Sequence, residues 1–324
     1  MSLPLNPAAT PASAAQRIAL AHGPFVLHLQ PETGGCIAGF WCGGIPVLRS
    51  VAADAALPSV RLSASYPLVP FSNRIGQGEF QWLGQHHALA ANFLPEPHAI
   101  HGVAWQRAWE ELERLESSAA SARLGYRHRP DTPDNHAAWP FAFDCIQTFT
   151  LDDNGLSITL ELTNRETRQS MPAGLGFHPY FVKRPDSHVT FATKGRWEMD
   201  SLSLPTERLL SPGLDRACAG LDIDHCFDGW QGTVQLRDRL LNVTITSGMP
   251  CLVVYTQPGR DFIAIEPVSH VNNALGMNKD AQNTAQLESW GVKILPPGAA
   301  FSVQMRIDVR SIETIAATNH QEPA

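Results

Sequence analysis

GLGFHPYF, residues 174–181, sets an ionisable imidazole, His178, between Phe177 and Pro179, with two more aromatics close behind. Proton transfer is the chemistry such a residue offers, because an ordinary histidine titrates near pH 6.5. A half-buried core histidine bonded to a carbonyl fits the same stretch. A second titratable group stands in a comparable place. Glu266 follows the apolar run DFIAI and precedes Pro267, which is expected to end an inner ladder there. A carboxylate at the end of an apolar strand is either solvated or a base at the mouth of a pocket, its pKa raised by partial burial.

Three further stretches put polar groups where packing does not ask for them. YPLVPFSNRIGQGEF (66–80) brackets Asn73 and Arg74 between prolines and a Gly-x-Gly exit. It reads as a surface loop or as an amide and a guanidinium fork presented to a polar ligand. HAIHGVAW (98–105) pairs His98 with His101, but lacks the glutamate and the helical pattern of a zinc-binding H-E-x-x-H, so no metal site is expected. LDIDHCFDGW (221–230) clusters Asp222, Asp224, His225 and Asp228 without the spacing of a calcium loop. A plain acidic loop and a carboxylate that holds hydroxyl groups remain equal readings.

The elements that must position these groups are short β-prone runs bounded by Gly, Pro, Asn and Asp. They include 24–30, 143–151, 156–164, 188–193, 232–238, 241–247, 251–257, 261–267 and 301–309. Many alternate with period two, as half-buried strands do. FDCIQTFTLDDNGLSITLELTN is the clearest hairpin, with Asp-Asn-Gly where a tight turn needs residues that tolerate positive φ. AWEELERLESSAA (108–120) alone spaces Ala108, Trp109, Leu112 and Leu115 as a helix would. With no repeat and no composition break, the expectation is one large, mostly antiparallel all-β domain of the sandwich type over 17–312. The segments 1–16 and 313–324 read as loose tails.

Composition narrows the partners. A net charge of −7 gives no basic footprint for nucleic acid or anionic lipid, which favours a small, neutral ligand. The six cysteines form no C-x-x-C pair, so reduced thiols are the default. The first residues have neither a basic region nor a continuous apolar one, so no signal peptide is read. No run reaches membrane-spanning length, and a cytoplasmic location is expected.

Taken together, PFSNRI, IHG, GFHPYF, IDHCF, TQPG and the glutamate before an Asn-rich stretch resemble the aldose 1-epimerase family, the galactose mutarotases, in that order from about residue 20 to about 310. The resemblance implies a β-supersandwich fold and makes 108–120 part of a strand pair. It implies that His178 is the general acid and Glu266 the general base. His101 and Arg74 would hold the sugar beside the reacting carbon, with Asn73 next to them. Asp224 would bind sugar hydroxyls, and Gln257 would touch the substrate near the base. The chain departs from the best-known galactose enzymes, which carry Gly-Arg-x-x-Asn-Arg and His-Gly-Gly where this sequence has PFSNRI and IHGVAW. It resembles a divergent bacterial-type branch whose sugar cannot be carried over.

The reaction so implied opens a pyranose ring, rotates about C1–C2 and closes on the other face. It needs one acid and one base and returns both to their starting states, so no cofactor is expected. Phe177, Tyr180 and Phe181 are expected to frame His178, and Trp105, Trp139, Trp230 or Phe141 to be core residues or a flat surface for a sugar. Three other readings stay open: a carbohydrate-binding protein without catalysis, a glycoside hydrolase using Asp224 and Glu266, and an epimerase of hexose 6-phosphates that uses Arg74 and Arg260. Oligomeric state is not set by the sequence.

Overall fold

The computed structural model describes residues 17–52, 55–116, 120–280 and 283–312; the tails expected at 1–16 and 313–324 lie outside them. The β-prone runs form strands as expected, and their pairing is antiparallel throughout two large sheets. A nine-stranded sheet runs from the edge strand Glu110–Glu116 through the hairpin Phe143–Asp152 and Gly155–Asn164 to Ala300–Ser311 and on to Gly213–Ala217. Phe143, Cys145, Phe149 and Leu151 alternate inward, and Leu156, Ile158, Leu160 and Leu162 meet them in one continuous core. All six cysteines are free and buried. Among the described residues, no helix is long and apolar enough to cross a membrane.

The hairpin turn works differently from the expectation. The Asp152 carboxylate accepts from the backbone N–H groups of Asn154 (2.9 Å) and Gly155 (3.2 Å), and only Gly155 has a positive φ, of 149°. A Cβ there would lie 2.1 Å from the Ile307 carbonyl oxygen, so close approach to the neighbouring strand also requires glycine.

The helical pattern of 108–120 yields to tertiary pairing. Glu110–Glu116 lies at the edge of the large sheet against Ala120–His128, with a register shift between Glu111 and Glu113 that sets Leu112 beside Gly125. Leu112 and Leu115 stay exposed, and the charged residues between them suit an unprotected sheet edge. Weak helical propensity loses to a partner strand whose own alternate residues are buried.

The eight-stranded sheet carries the candidate site. Its order is Pro205–Leu210, Gly195–Met199, Ile223–Asp228, Cys251–Thr256, Phe262–Val268, Gly176–Phe177 and Pro67–Leu68, with Tyr180–Val182 also pairing with Phe262–Val268. Ile263 and Ile265 face the main core together with Phe177, Phe181, Phe227, Leu252 and Val254. Ala264 and Val268 face the other way, into a smaller cluster with Tyr66, Tyr180, Cys226 and Val253. That second face opens into the cleft.

Pro267 does not end its strand, which continues to Val268 in the interior of the sheet. Pro267 pairs with Leu252 on one side. Its missing N–H points to the other side, as the Ile265 N–H does in reaching the Pro179 carbonyl (3.3 Å). There the register sets Phe177 opposite, so the ladder forgoes the one bond that an N–H at 267 would give the Phe177 carbonyl.

Candidate active site

His178 sits in the break between two short strands that both pair with Phe262–Val268. Gly176 opposes Val268 and Tyr180 opposes Ala264, a single register that carries His178 directly across from Glu266. His178 Nε2 lies 3.3 Å from Glu266 Oε1, and both side chains are buried. His178 Nδ1 and Glu266 Oε2 have no protein partner, which leaves polar capacity in a place where buried polar atoms are normally paired.

Burial governs how this pair titrates. Desolvation, with a smaller push from the Arg49 guanidinium, lowers His178 to about 3. Desolvation, then the Asp224 carboxylate, raises Glu266 well above the usual carboxylate range, with Arg74 opposing. Although the two are close enough for an ion pair, both shifts favour the neutral forms of the partners.

Aromatic rings fix the imidazole. Tyr180 stacks on it at 4.5 Å between centroids and Tyr66 lies tilted at 4.6 Å. The two phenol oxygens are 3.2 Å apart. Phe177 and Phe181, expected in this frame, point instead into the main core, because alternation sends neighbours of His178 and Tyr180 to the opposite face. Trp139, Trp230 and Phe141 are core residues, and Trp105 stacks behind Tyr66 at 5.2 Å.

Asn73 and His101 come from two adjoining loops, and both adopt left-handed backbone (φ 53° and 59°). Gly102 follows with φ 70°, and a Cβ there would lie 1.9 Å from the Val69 carbonyl oxygen. Strain of this kind persists where surrounding structure imposes it. Here it turns the His101 ring to 5.1 Å from that of His178. Burial, then His178 and Arg74, lowers the His101 pKa well below that of a free histidine.

Arg74 donates Nε and Nη2 to the two oxygens of Glu96, at 2.8 and 3.0 Å. Asp224 stands three strands over from His178, two beyond Glu266, and burial raises its pKa against the pull of Arg74. Gln257 Oε1 accepts from the Tyr255 hydroxyl (3.2 Å), and its carbonyl accepts from the buried Lys183 Nζ (2.8 Å). Asn73, Arg74, His101, His178, Asp224, Gln257 and Glu266 all line one cleft of about 750 Å³.

The other flagged residues go elsewhere. His98 accepts from the Gln77 N–H through Nδ1 and meets the Leu202 carbonyl through Nε2, so the H-x-x-H pair does not converge. Asp228 is held by Arg208 and by the Trp197 indole N–H. Arg49, Tyr66 and Glu96 line the cleft without having been singled out from sequence. Glu96 alone carried a signal, as a carboxylate five residues before His101 in PEPHAIHG.

The sequence profile of the aldose 1-epimerase family matches residues 19–308. The chain belongs to this family. Two uncharacterized proteins of Escherichia coli K12 are related to it. YphB is 29% identical over 273 residues, covering 78% of this chain and 87% of its own. YihR is 27% identical over 230 residues, covering 66% and 72%. A galactose mutarotase-like protein from Clostridium acetobutylicum superimposes with a TM-score of 0.79 at 19% identity, covering 91% of this chain and 95% of that one. This last likeness bears on the fold, which the family's β-supersandwich describes.

Proposed function

We propose that the protein is a mutarotase that interconverts the α and β anomers of a free aldose, with His178 as general acid and Glu266 as general base. The observation that carries this reading is the buried His178–Glu266 pair, 3.3 Å apart at one wall of the cleft, with pKa values pushed in opposite directions.

The pair holds one transferable proton. In its imidazolium–carboxylate form, His178 gives a proton to the ring oxygen while Glu266 takes the proton of the C1 hydroxyl. The C1–ring oxygen bond breaks and C1 becomes a carbonyl. Neutral imidazole and carboxylic acid remain, the form that burial favours. Rotation about C1–C2 and the reverse transfers close the ring on the other face. Two oxygens bonded to one carbon are close enough for neighbouring groups to serve both, and each transfer contributes about 10²–10⁴ in rate. The cycle restores the starting protonation state and calls for no cofactor.

Asn73 N–H donates to His101 Nδ1, so the neutral ring carries its proton on Nε2. His101 and Arg74 then supply donors for charge that develops on substrate oxygens. Asp224 and Gln257 are suited to accept from ring hydroxyls. The partner in this reading is a small sugar, with no role for nucleic acid or membrane.

Polarimetry of freshly dissolved glucose, galactose and their 6-phosphates tests the reading. The wild-type protein is expected to speed equilibration over buffer for at least one sugar and to release no reducing sugar from a glycoside. Failure on all of them refutes it, and glycoside cleavage would favour a hydrolase.

A further inference from the structure

Left-handed backbone at a histidine, as at His101 (φ 59°), is sparsely populated and persists only where the surroundings dictate it. The short ladder of Ala99–Ile100 against Arg74–Ile75 ends just before that residue. One side chain grips the loop on both sides of it. Asn92 Nδ2 donates to the Ile100 carbonyl (2.9 Å) and to the Gly102 carbonyl (3.0 Å), and Asn92 Oδ1 accepts from the Ile100 N–H (2.8 Å). Both amide protons and one oxygen site of Asn92 thus go to the residues before and after His101. These partners also settle which end of the amide is which, since the two carbonyls only accept and the Ile100 N–H only donates.

Asn92 is itself held, because its carbonyl accepts from Gln106 Nε2 (2.8 Å). It does not line the cleft. With Gly102 and Val103 it borders a separate cavity of about 230 Å³, while His101 lines the cleft. An effect of Asn92 on a bound sugar must therefore pass through the loop. At the ring, the Asn73 N–H donates to His101 Nδ1 (3.1 Å) and leaves the proton of the neutral imidazole on Nε2. Asn92 sets the backbone and Asn73 the tautomer. The Trp105 indole N–H also donates to the Ile100 carbonyl (3.2 Å), so that carbonyl keeps one partner when Asn92 is replaced.

We propose that Asn92 is a positioning residue, which imposes the left-handed turn at His101 and so aims the His101 Nε2–H into the cleft. Its expected effect on turnover rests on the mutarotase reading, whereas the geometry it imposes on His101 does not. Without the amide, the turn is free to relax toward negative φ and carry the ring away from the substrate oxygens.

The test is a double-mutant cycle on the full chain, combining Asn92→Asp with His101→Ala and read as kcat/KM of anomer exchange on the sugar the wild type turns over best. Asp has the shape of Asn but turns an oxygen, in place of the amide protons, toward the Ile100 and Gly102 carbonyls. In the wild-type background this change is expected to lower kcat/KM by roughly 10–10²-fold, with most of the loss in kcat, as misplacing a group that acts in the transition state does. In the His101→Ala background it is expected to cost less than about twofold, because the ring it aims is gone. Equal losses in the two backgrounds, or no loss in the first, overturn the proposal. Long-range proton–nitrogen spectra of the histidine rings, with His101 assigned by its absence from His101→Ala, read the geometry without turnover. The wild type is expected to carry the His101 proton on Nε2, and Asn92→Asp to show a mixture of tautomers; an unchanged His101 signal also overturns the proposal. Asn92→Ala, which leaves the loop groups at this half-buried position to water, is the second variant and carries the same expectations. If the wild type exchanges no sugar, the mutarotase reading fails, and the spectra alone decide the role of Asn92.

Discussion

Asn73 and His101 hold each other through two hydrogen bonds: the His101 backbone N–H donates to the Asn73 carbonyl at 2.8 Å, and the Asn73 N–H donates to His101 Nδ1 at 3.1 Å. The second bond fixes the tautomer that presents an N–H at Nε2. His101→Ala is therefore expected to lower kcat/KM by about 10²–10³, the usual effect of deleting one preorganised donor. It also strands the buried Asn73 N–H, at a cost of about 1–3 kcal/mol in urea unfolding. Wild-type activity in this variant would remove His101 from the site.

Glu96 acts through Arg74, whose Nε and Nη2 it accepts. The pair is only partly buried, so Glu96→Ala should change stability by no more than about 1 kcal/mol. Because Arg74 loses its fixed fork, KM is expected to rise several-fold while kcat changes less, and Glu96→Asp should restore part of the loss. A variant with unchanged KM would show that Arg74 needs no such support.

Glu266 opposes stability where it serves chemistry. Its folded pKa is raised, so the unfolded chain ionises first as pH climbs, and stability present in acid is lost as pH rises toward the folded value. Glu266→Gln keeps the shape and removes the titration. The variant is expected to gain stability relative to wild type at pH 8 compared with pH 5, measured by urea unfolding at both. The lowered pKa of His178 works at the other end, where stability is lost as pH falls from the ordinary histidine range toward about 3. An equal effect of Glu266→Gln at the two pH values would show that Glu266 is ionised in the folded protein.

The alternating runs revealed the β architecture in advance because each strand buries one face, and burial leaves a period of two in the residues themselves. Glu110–Glu116 escaped that rule, since an edge strand with a register shift and exposed leucines leaves no such imprint. Among site residues, His178 and Glu266 stood out as ionisable groups in apolar surroundings. What local sequence cannot express is register. That Gly176–Val268 and Tyr180–Ala264 share one alignment is a property of two strands about 90 residues apart. Arg49 and Tyr66 were hidden for a related reason, because their neighbours in the cleft come from other loops and strands and not from flanking residues.

The central claim is that His178 and Glu266 share the proton that opens the ring. Two-dimensional exchange NMR on the anomeric protons of the best substrate, with wild type, His178→Asn and Glu266→Gln, tests it most directly. Each variant is expected to lose about 10²–10⁴ of the catalysed exchange rate. In the wild type, kcat/KM should fall in acid only well below pH 6.5, as the lowered His178 pKa dictates, and fall in alkali above the usual carboxylate range. Full exchange in either variant, or an acid limb at the ordinary histidine value, would contradict the account.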